Sequence, residues 1–285
     1  MLHNLQNSLR TISRNPIGLL GLIGLVFFIL MSFVGPYIFP FNDDPRMDQI
    51  YQAPSWQHLM GTDHLGRDNA VQIVHGGREV MIVAFSAGLI SLVIATLVGG
   101  LSAFLGGRFD TIAMTLADVV LTVPRIIVLT MIAGLIKFTD PLALAPLIGM
   151  LTWPTLARGI RAQILSLRER DYVEASRVLG MGTAHIVFVE MLPNMMGYIL
   201  TGLILAMTAA IYEQIVLIFL GLVPLSGANW GLMLNFAYNR GAIFQKDSVY
   251  YILAPTLAIV LFQLTMVSFA RALEEIFNPR LRTQA

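Results

Sequence analysis

The sequence predicts an all-helical integral membrane protein with six transmembrane helices. Of its 285 residues, 56% are hydrophobic and only 12% are charged, and the mean hydropathy is +0.73. Soluble domains usually contain about 45–50% apolar and about 25% charged residues. Low charge and six long apolar stretches together place most of the chain in lipid rather than in water.

Each predicted span approaches the roughly 20 apolar residues that a helix needs to cross a bilayer. The spans are 17–39, 80–105, 111–136, 142–157 (continuing to about 165), 195–223 and 250–270. Asn15 and Pro16 form a favourable start for the first span. That span is too long for the apolar core of a signal peptide, so we expect an uncleaved anchor. Trp153, Pro154 and Arg158 interrupt the fourth span.

The distribution of arginine predicts the orientation. Arginines concentrate in segments 10–14, 158–177 and 271–282, which all lie on one side of a six-span topology. Loops rich in Lys and Arg stay in the cytoplasm. Both termini are therefore expected to be cytoplasmic, in the plasma or inner membrane, and segments 40–79 and 224–249 are expected to face outward.

Several classes of function are excluded by missing residues. The chain has no cysteine, no G-x-x-x-x-G-K-[ST] motif and no H-E-x-x-H motif, and its five histidines are scattered. There is no basic stripe with interleaved aromatic residues, as nucleic-acid binding would need. We expect no catalytic residues, no metal and no cofactor in this chain, and no nucleic-acid partner.

Charge is concentrated in a cytoplasmic loop, residues 166–193. Its sequence predicts a short helix that has Asp171 as its N-cap and is ended by Gly180 and Gly182, followed by a second helix with Thr183 as its N-cap. Small residues and an apolar patch on such a knob favour docking of another protein. The alternative is an ordinary positively charged loop with a surface helix.

Three charged residues fall inside predicted spans: Asp118, Arg125 and Glu213. A charge at mid-bilayer costs about 2.5–3.5 kcal/mol on insertion scales, so it usually has a partner or faces water. Asp118 and Arg125 are two helical turns apart, which would place them on one face of a continuous helix. They either line a translocation path or stabilise helix packing. Pro124 and Pro154 are candidate kinks.

Motifs along nearly the whole chain resemble the permeases of ABC importers. Glu174, Ala175, Ser176, Gly180 and the "LPN" of 192–194 match the spacing of their E-A-A loop, with Ser176 replacing an alanine and Glu190 replacing an isoleucine. Further segments resemble the C-type subunit of dipeptide and oligopeptide permeases. These are "RNPIGLLGLIGL", "GTDHLGRD", "GGRFDTIAMTLADVVLTVP", "SLRERDYVEASRVLG", "FLGL", "NWGLML" and "NPRLR".

The resemblance implies a type I ABC importer permease with a short cytoplasmic coupling helix. It implies an N-terminal anchor with external loop (1–79) and a permease core (80–285). The implied ATPase-coupling residues are Glu174, Ala175, Ser176, Gly180 and Gly182. The implied residues of the loops that face a binding protein are Gly61, Asp63, Gly66, Arg67, Asp68 and Trp230. Glu213 matches a glutamate of the family's fifth span.

The implied partners are a second, homologous permease, two cytoplasmic ATPase subunits that hold ATP and Mg, and an extracytoplasmic substrate-binding protein. Di- or oligopeptides are the implied cargo. The segment "VPLSGANWG" replaces a proline-rich stretch of the peptide permeases, so oligosaccharides and nickel stay open as alternatives.

Two other functions remain open from the residues alone. A secondary transporter usually has two repeated halves, and no repeat is visible here. A membrane scaffold without transport activity would not need intramembrane charges. We expect a transport subunit rather than an enzyme.

Overall fold

A computed structural model describes residues 16–136, 138, 140–182, 185–223 and 227–277. This part of the chain is helical, and its only extended pairing is one isolated bridge between Thr62 and Asp68. The longer helices are α1 (Pro16–Phe33), α2 (Asn69–Leu105), α3 (Gly107–Thr122), α4 (Arg125–Leu135), α5 (Leu144–Arg168), α6 (Asp171–Val178), α7 (Met196–Phe219), α8 (Trp230–Asn239) and α9 (Val249–Phe277). Short helical segments lie at Gly35–Ile38, Met47–Gln49, Pro141–Ala143, Ile186–Met191 (a π-helix), Leu192–Asn194 and Ala242–Phe244.

Four of these helices, α1, α2, α7 and α9, are long and apolar enough to cross a membrane. The pair α3 and α4 forms a fifth candidate that is bent by 80°. Helix α5, the predicted fourth span, is not among the candidates, although its 25 residues are long enough. Its C-terminal half carries Arg158, Arg161 and Arg168, which lower its hydropathy. The chain is a multi-pass membrane protein, as expected.

The predicted third span is not one helix, so the placement of Asp118 and Arg125 on one face is wrong. Helix α3 ends at Thr122, Val123 is extended, and α4 starts after Pro124. A proline ring pushes the preceding residue out of the helical region, which explains the break. Asp118 and Arg125 therefore belong to two helices that point in different directions.

Helix α2 is longer than predicted. It starts at Asn69, where the Asp68 carboxylate accepts hydrogen bonds from the backbone N–H groups of Ala70 and Val71. This is the usual chemistry of an N-cap. The end of the external loop and the predicted second span therefore form one helix, and the division expected between residues 79 and 80 falls inside it.

Helix α2 is the centre of the fold. It packs most extensively against α5 and also contacts α7 and α1. Small residues bring α2 and α5 together: at Gly149 of α5, an added Cβ would lie 2.8 Å from the carbonyl oxygen of Ala87 and 2.8 Å from the Cβ of Ile90. Such close contact is typical of helices in lipid, where van der Waals packing drives association.

Gly149→Ala is expected to destabilise the protein by about 1–3 kcal/mol, because the new methyl group forces α2 and α5 apart. Thermal unfolding of the purified protein in detergent measures the effect. Gly134→Ala is the matched control, since Gly134 of α4 has no atom within 4 Å of an added Cβ. Equal unfolding temperatures for the two variants would contradict this account of the interface.

Two cores position the functional regions. One surrounds Trp230, Phe28 and Phe262 and joins α1, α2, α8 and α9. The other includes Trp153, Ile160 and Ile164 of α5, and reaches Val173 of α6. The short polar helix α6 is therefore packed onto the end of α5 and is not a free loop.

Candidate functional site

Helix α6 is held to the membrane helices by its inner face. Val173 is fully buried and Ser176 is 6% exposed. The Ser176 hydroxyl donates a hydrogen bond to the carbonyl oxygen of Tyr172, 2.9 Å away. The Ser176 side chain is therefore buried and hydrogen-bonded within α6.

The start of α6 also differs from the prediction. Arg170 occupies the N-cap position without a side-chain cap, and Asp171 lies in the first turn. An acidic residue in the first turn stabilises a helix through the macrodipole rather than by capping. The predicted second N-cap, Thr183, lies outside the described residues.

The end of α6 is set by Gly180. Its φ is +68°, which L-residues with a Cβ rarely adopt. The N–H of Gly180 bonds to the carbonyl of Arg177, and the N–H of Met181 bonds to the carbonyl of Ser176. These two bonds form a Schellman motif. The predicted glycine stop is found, and it fixes the direction in which the chain leaves the helix.

Gly180→Ala is expected to destabilise the end of α6 by about 1–2 kcal/mol, because alanine is strained in the left-handed region. No atom lies within 4 Å of the added Cβ, so strain is the only cost. Amide hydrogen exchange over residues 171–182 should become faster. Gly182→Ala is the control, because a Cβ added at Gly182 also has no atom within 4 Å, but the backbone of Gly182 is not left-handed. Equal acceleration in both variants would contradict the assignment.

The outer face of α6 is an exposed tip. Glu174, Ala175 and Gly182 are exposed, and Val178 and Leu179 are 83% and 74% exposed. Two adjacent large aliphatic side chains in water, on a helix whose inner face is packed, form a small apolar surface of defined geometry. This geometry is suited to docking by another protein.

The first outer loop is organised around Asp63, which is completely buried. Its Oδ1 accepts hydrogen bonds from the backbone N–H groups of Leu65 and Arg67. Its Oδ2 accepts bonds from Nε of Arg67 and Nε2 of Gln72, at 2.8 and 3.0 Å. Burial opposes the charged form of Arg67, but Asp63 and Asp43 outweigh it and raise the pKa of Arg67 above its usual value.

The neighbouring residues of this loop also stabilise its conformation. Asp68 caps α2 and pairs with Nδ1 of His58 at 2.8 Å. Gly61 and Gly66 have φ values of +69° and +75°, and a Cβ added to either would collide with a backbone oxygen, that of Gln52 or Arg46 respectively. The predicted binding-protein residues Gly61, Asp63 and Gly66 are buried, and Arg67 and Asp68 are half-buried.

Trp230 is likewise buried, with no exposed surface. Its indole N–H donates to the carbonyl of Ile73 over 2.9 Å. Its ring contacts Phe28 and Phe262 edge-on, with centroids 6.2 and 5.8 Å away. The Trp230 side chain therefore belongs to the core and stabilises the start of α8.

The exposed part of the outer loop was missed by sequence reasoning. Trp56 is 97% exposed and Leu59 is 66% exposed. The available signal was the presence of large apolar side chains in an otherwise polar loop.

The intramembrane charges form ion pairs between helices. Arg125 of α4 pairs with Glu213 of α7 at 3.1 Å. Asp118 of α3 pairs with Arg158 of α5 at 3.0 Å, and both side chains are more than half exposed. Asp110 and Arg161 form a bidentate pair with two distances of 2.5 Å. Sequence reasoning did not select Asp110 or Arg161, because their pairing joins residues 51 positions apart.

These features define a class of protein: a multi-pass membrane component of a transport system. It has a broken candidate span with paired charges and a rigid, apolar-tipped helix on its arginine-rich side.

Comparison with known proteins identifies the family. Residues 83–283 match the model described as binding-protein-dependent transport system inner membrane component. Residues 4–54 match the N-terminal TM domain of oligopeptide transport permease C. The chain therefore belongs to the family of binding-protein-dependent transport system inner membrane components, which are transport permeases and not enzymes.

Individual relatives agree with this assignment. A Brucella suis protein named as a peptide permease is 36% identical, over 94% of this chain and 88% of its own length. The dipeptide transport system permease protein DppC of Bacillus subtilis is 34% identical, over 81% of this chain and 72% of its own. OppC, the oligopeptide transport system permease protein of the same organism, is 34% identical, over 77% of this chain and 72% of its own length.

Proposed function

We propose that this chain is the transmembrane permease subunit of an ATP-driven importer for di- or oligopeptides. The observation that carries the proposal is the similarity of most of the chain to permeases named for dipeptide and oligopeptide transport. Among the residues that the structure describes, no contact favours oligosaccharides or nickel over peptides.

The proposed membrane topology has six spans: α1, α2, the broken pair α3 and α4, α5, α7 and α9. An even number of spans puts both termini on one side, and the arginine-rich segments put that side in the cytoplasm. We retain 1–79 as an N-terminal unit and 80–285 as the permease core. The two family models, at 4–54 and 83–283, support this division.

The proposed coupling element is α6 with residues Glu174, Ala175, Gly180 and Gly182. Two ATPase subunits bind ATP and Mg, close on each other and move α6 of each permease. Val178 and Leu179 supply the apolar contact. Because Val173 packs on the same core as α5, a displacement of α6 is transmitted to the membrane helices.

The partners are a second homologous permease, two ATPases and an extracytoplasmic binding protein. The binding protein meets the outer face, where the Asp63 network holds the loop in shape and exposed residues such as Trp56 and Leu59 are available for contact. Asp118, Arg125 and Glu213 lie along the translocation path between the two permeases.

The cargo is tested with the complete complex in proteoliposomes. Binding protein loaded with dipeptides or longer peptides is expected to stimulate ATP hydrolysis and uptake. Stimulation only by proteins loaded with oligosaccharides or nickel would overturn the peptide assignment and leave the importer intact. If none of these loaded binding proteins stimulates ATP hydrolysis by a folded complex, the importer assignment is wrong.

The coupling element is tested by Leu179→Asp. A charge on the apolar tip should weaken ATPase binding by roughly tenfold or more, as loss of an aliphatic interface anchor does. Val189→Asp is the control, since Val189 belongs to the same loop and is 53% exposed, but is part of the separate π-helix Ile186–Met191. Copurification of the ATPase measures the effect. Equal binding in both variants would sink the assignment.

A further inference from the structure

A groove of about 240 Å³ runs along one face of α7. Its lining residues on α7 recur at helical spacing, so they form a stripe about 16 Å long. They are Tyr198, Thr201, Gly202, Leu205, Ala206 and Ala209. Thr152, Thr155 and Leu156 of α5 form the opposite wall, and Arg125 of α4 completes the lining. The groove is open to the surface, since Leu205 is 51% exposed.

Arg125 marks one end of this groove. Glu213, its ion-pair partner, is four residues beyond Ala209 on α7 and does not line the groove. A guanidinium group has five N–H donors, and the ion pair with Oε1 of Glu213 uses Nη1. The Arg125 side chain is 35% exposed, whereas that of Glu213 is 8% exposed. The glutamate thus holds the arginine in position, and the arginine can still take an anion.

The floor of the groove fits a peptide main chain. Ala206 and Ala209 are small and leave room beside α7, whereas Leu156 of α5 packs closely against Gly202. Thr155, Thr201 and Tyr198 add hydroxyl groups. The Thr201 hydroxyl is buried and has no hydrogen-bond partner within the described ranges. A buried hydroxyl without a partner is unfavourable, so a ligand that supplies one gains affinity.

The charge of the lining residues determines whether the groove binds the carboxylate end or the ammonium end of a peptide. Arg125 is cationic, and no carboxylate is among the lining residues. An ammonium group would therefore find no partner, whereas a carboxylate matches the planar fork of a guanidinium.

We propose that this groove is a substrate site that binds the C-terminal carboxylate of a peptide at Arg125, with the peptide main chain along the small and hydroxyl residues of α7. The proposal rests on the proposed function, because it assigns the chemical group of the cargo that the permease recognises.

The test uses thiol labelling, because the chain has no cysteine of its own. Leu205→Cys is placed in the complete complex with cysteine-free partner subunits and labelled with sulfonatoethyl methanethiosulfonate. Trialanine at millimolar concentration is expected to slow labelling at position 205 at least about threefold, and trialanine amide is expected to leave it unchanged. Equal protection by the amide would overturn the proposal.

Arg125→Gln alone would leave the buried Glu213 carboxylate without a partner and destabilise the protein. The double variant Arg125→Gln/Glu213→Gln removes both charges and should abolish protection by trialanine. Thr201→Val keeps the shape of the groove but removes the hydroxyl, so it should weaken protection by trialanine. If trialanine still slows labelling in the double variant, Arg125 does not bind the peptide carboxylate.

Peptide uptake by the wild-type complex distinguishes the proposed carboxylate site from the proposed importer function. Protection by trialanine without uptake of any peptide would sink the importer function and keep the carboxylate site. Uptake without carboxylate-dependent protection would sink the site and keep the function.

Discussion

Asp63→Ala is expected to open the first outer loop and to destabilise it by about 3–5 kcal/mol, the usual effect of removing one partner from a buried ion pair. The Arg67 side chain is only 11% exposed and would lose its buried carboxylate partner, keeping only the exposed Asp43. The side chain of Gln72 and the N–H groups of Leu65 and Arg67 would lose their acceptor as well.

Limited trypsin digestion from the outer side measures this change, because Arg46, Arg67 and Arg78 lie in or next to the loop. Cleavage should be much faster in Asp63→Ala than in the wild type. Asp44→Ala is the control, since Asp44 is exposed on the same loop. If Asp63→Ala resists trypsin as the wild type does, the buried carboxylate is not what holds the loop.

Trp230→Ala is expected to cost about 3–5 kcal/mol of stability, as large-to-small changes of buried aromatic residues do. The side chain joins α8 to α1, α2 and α9, and its loss also leaves the carbonyl of Ile73 without its indole donor. Trp230→Phe keeps part of the ring and loses the hydrogen bond, so its effect should be intermediate, about 1–3 kcal/mol.

Thermal unfolding in detergent, followed by size-exclusion chromatography of heated samples, ranks these variants. Trp56→Ala is the matched control, because Trp56 is 97% exposed and surface changes usually stay within about 0.5 kcal/mol. Unfolding of Trp230→Ala at the same temperature as Trp56→Ala would refute the assigned core.

The sequence was sufficient for features that depend on a few consecutive residues. Apolar stretches predicted membrane helices at α1, α2, α7 and α9, because crossing a bilayer is a property of each segment alone. Gly180 predicted the end of α6, since a left-handed residue after a helix is local backbone chemistry. The order of the short motifs predicted the family, which the family models confirm.

Proline shows the limit of this local reasoning. Pro124 and Pro154 were equally good candidates for kinks. Helix α3 stops at Thr122 before Pro124, whereas α5 runs through Pro154 without interruption. Pro154 is buried against neighbouring helices, and Pro124 is exposed. Tertiary packing of α5 against α2 accounts for the continuous helix, and the sequence around each proline does not contain that information.

By itself, then, the sequence determined the membrane class, most of the spans, the short polar helix and the family. Only the tertiary structure decided which charges pair and which residues are buried. Asp118 pairs with Arg158, 40 positions away, and Arg125 pairs with Glu213. Asp63 and Trp230, which belong to loops expected to face a binding protein, have buried side chains. The physical reason is that burial and ion pairing depend on contacts between distant segments, whereas hydropathy and helix ends depend on neighbours along the chain.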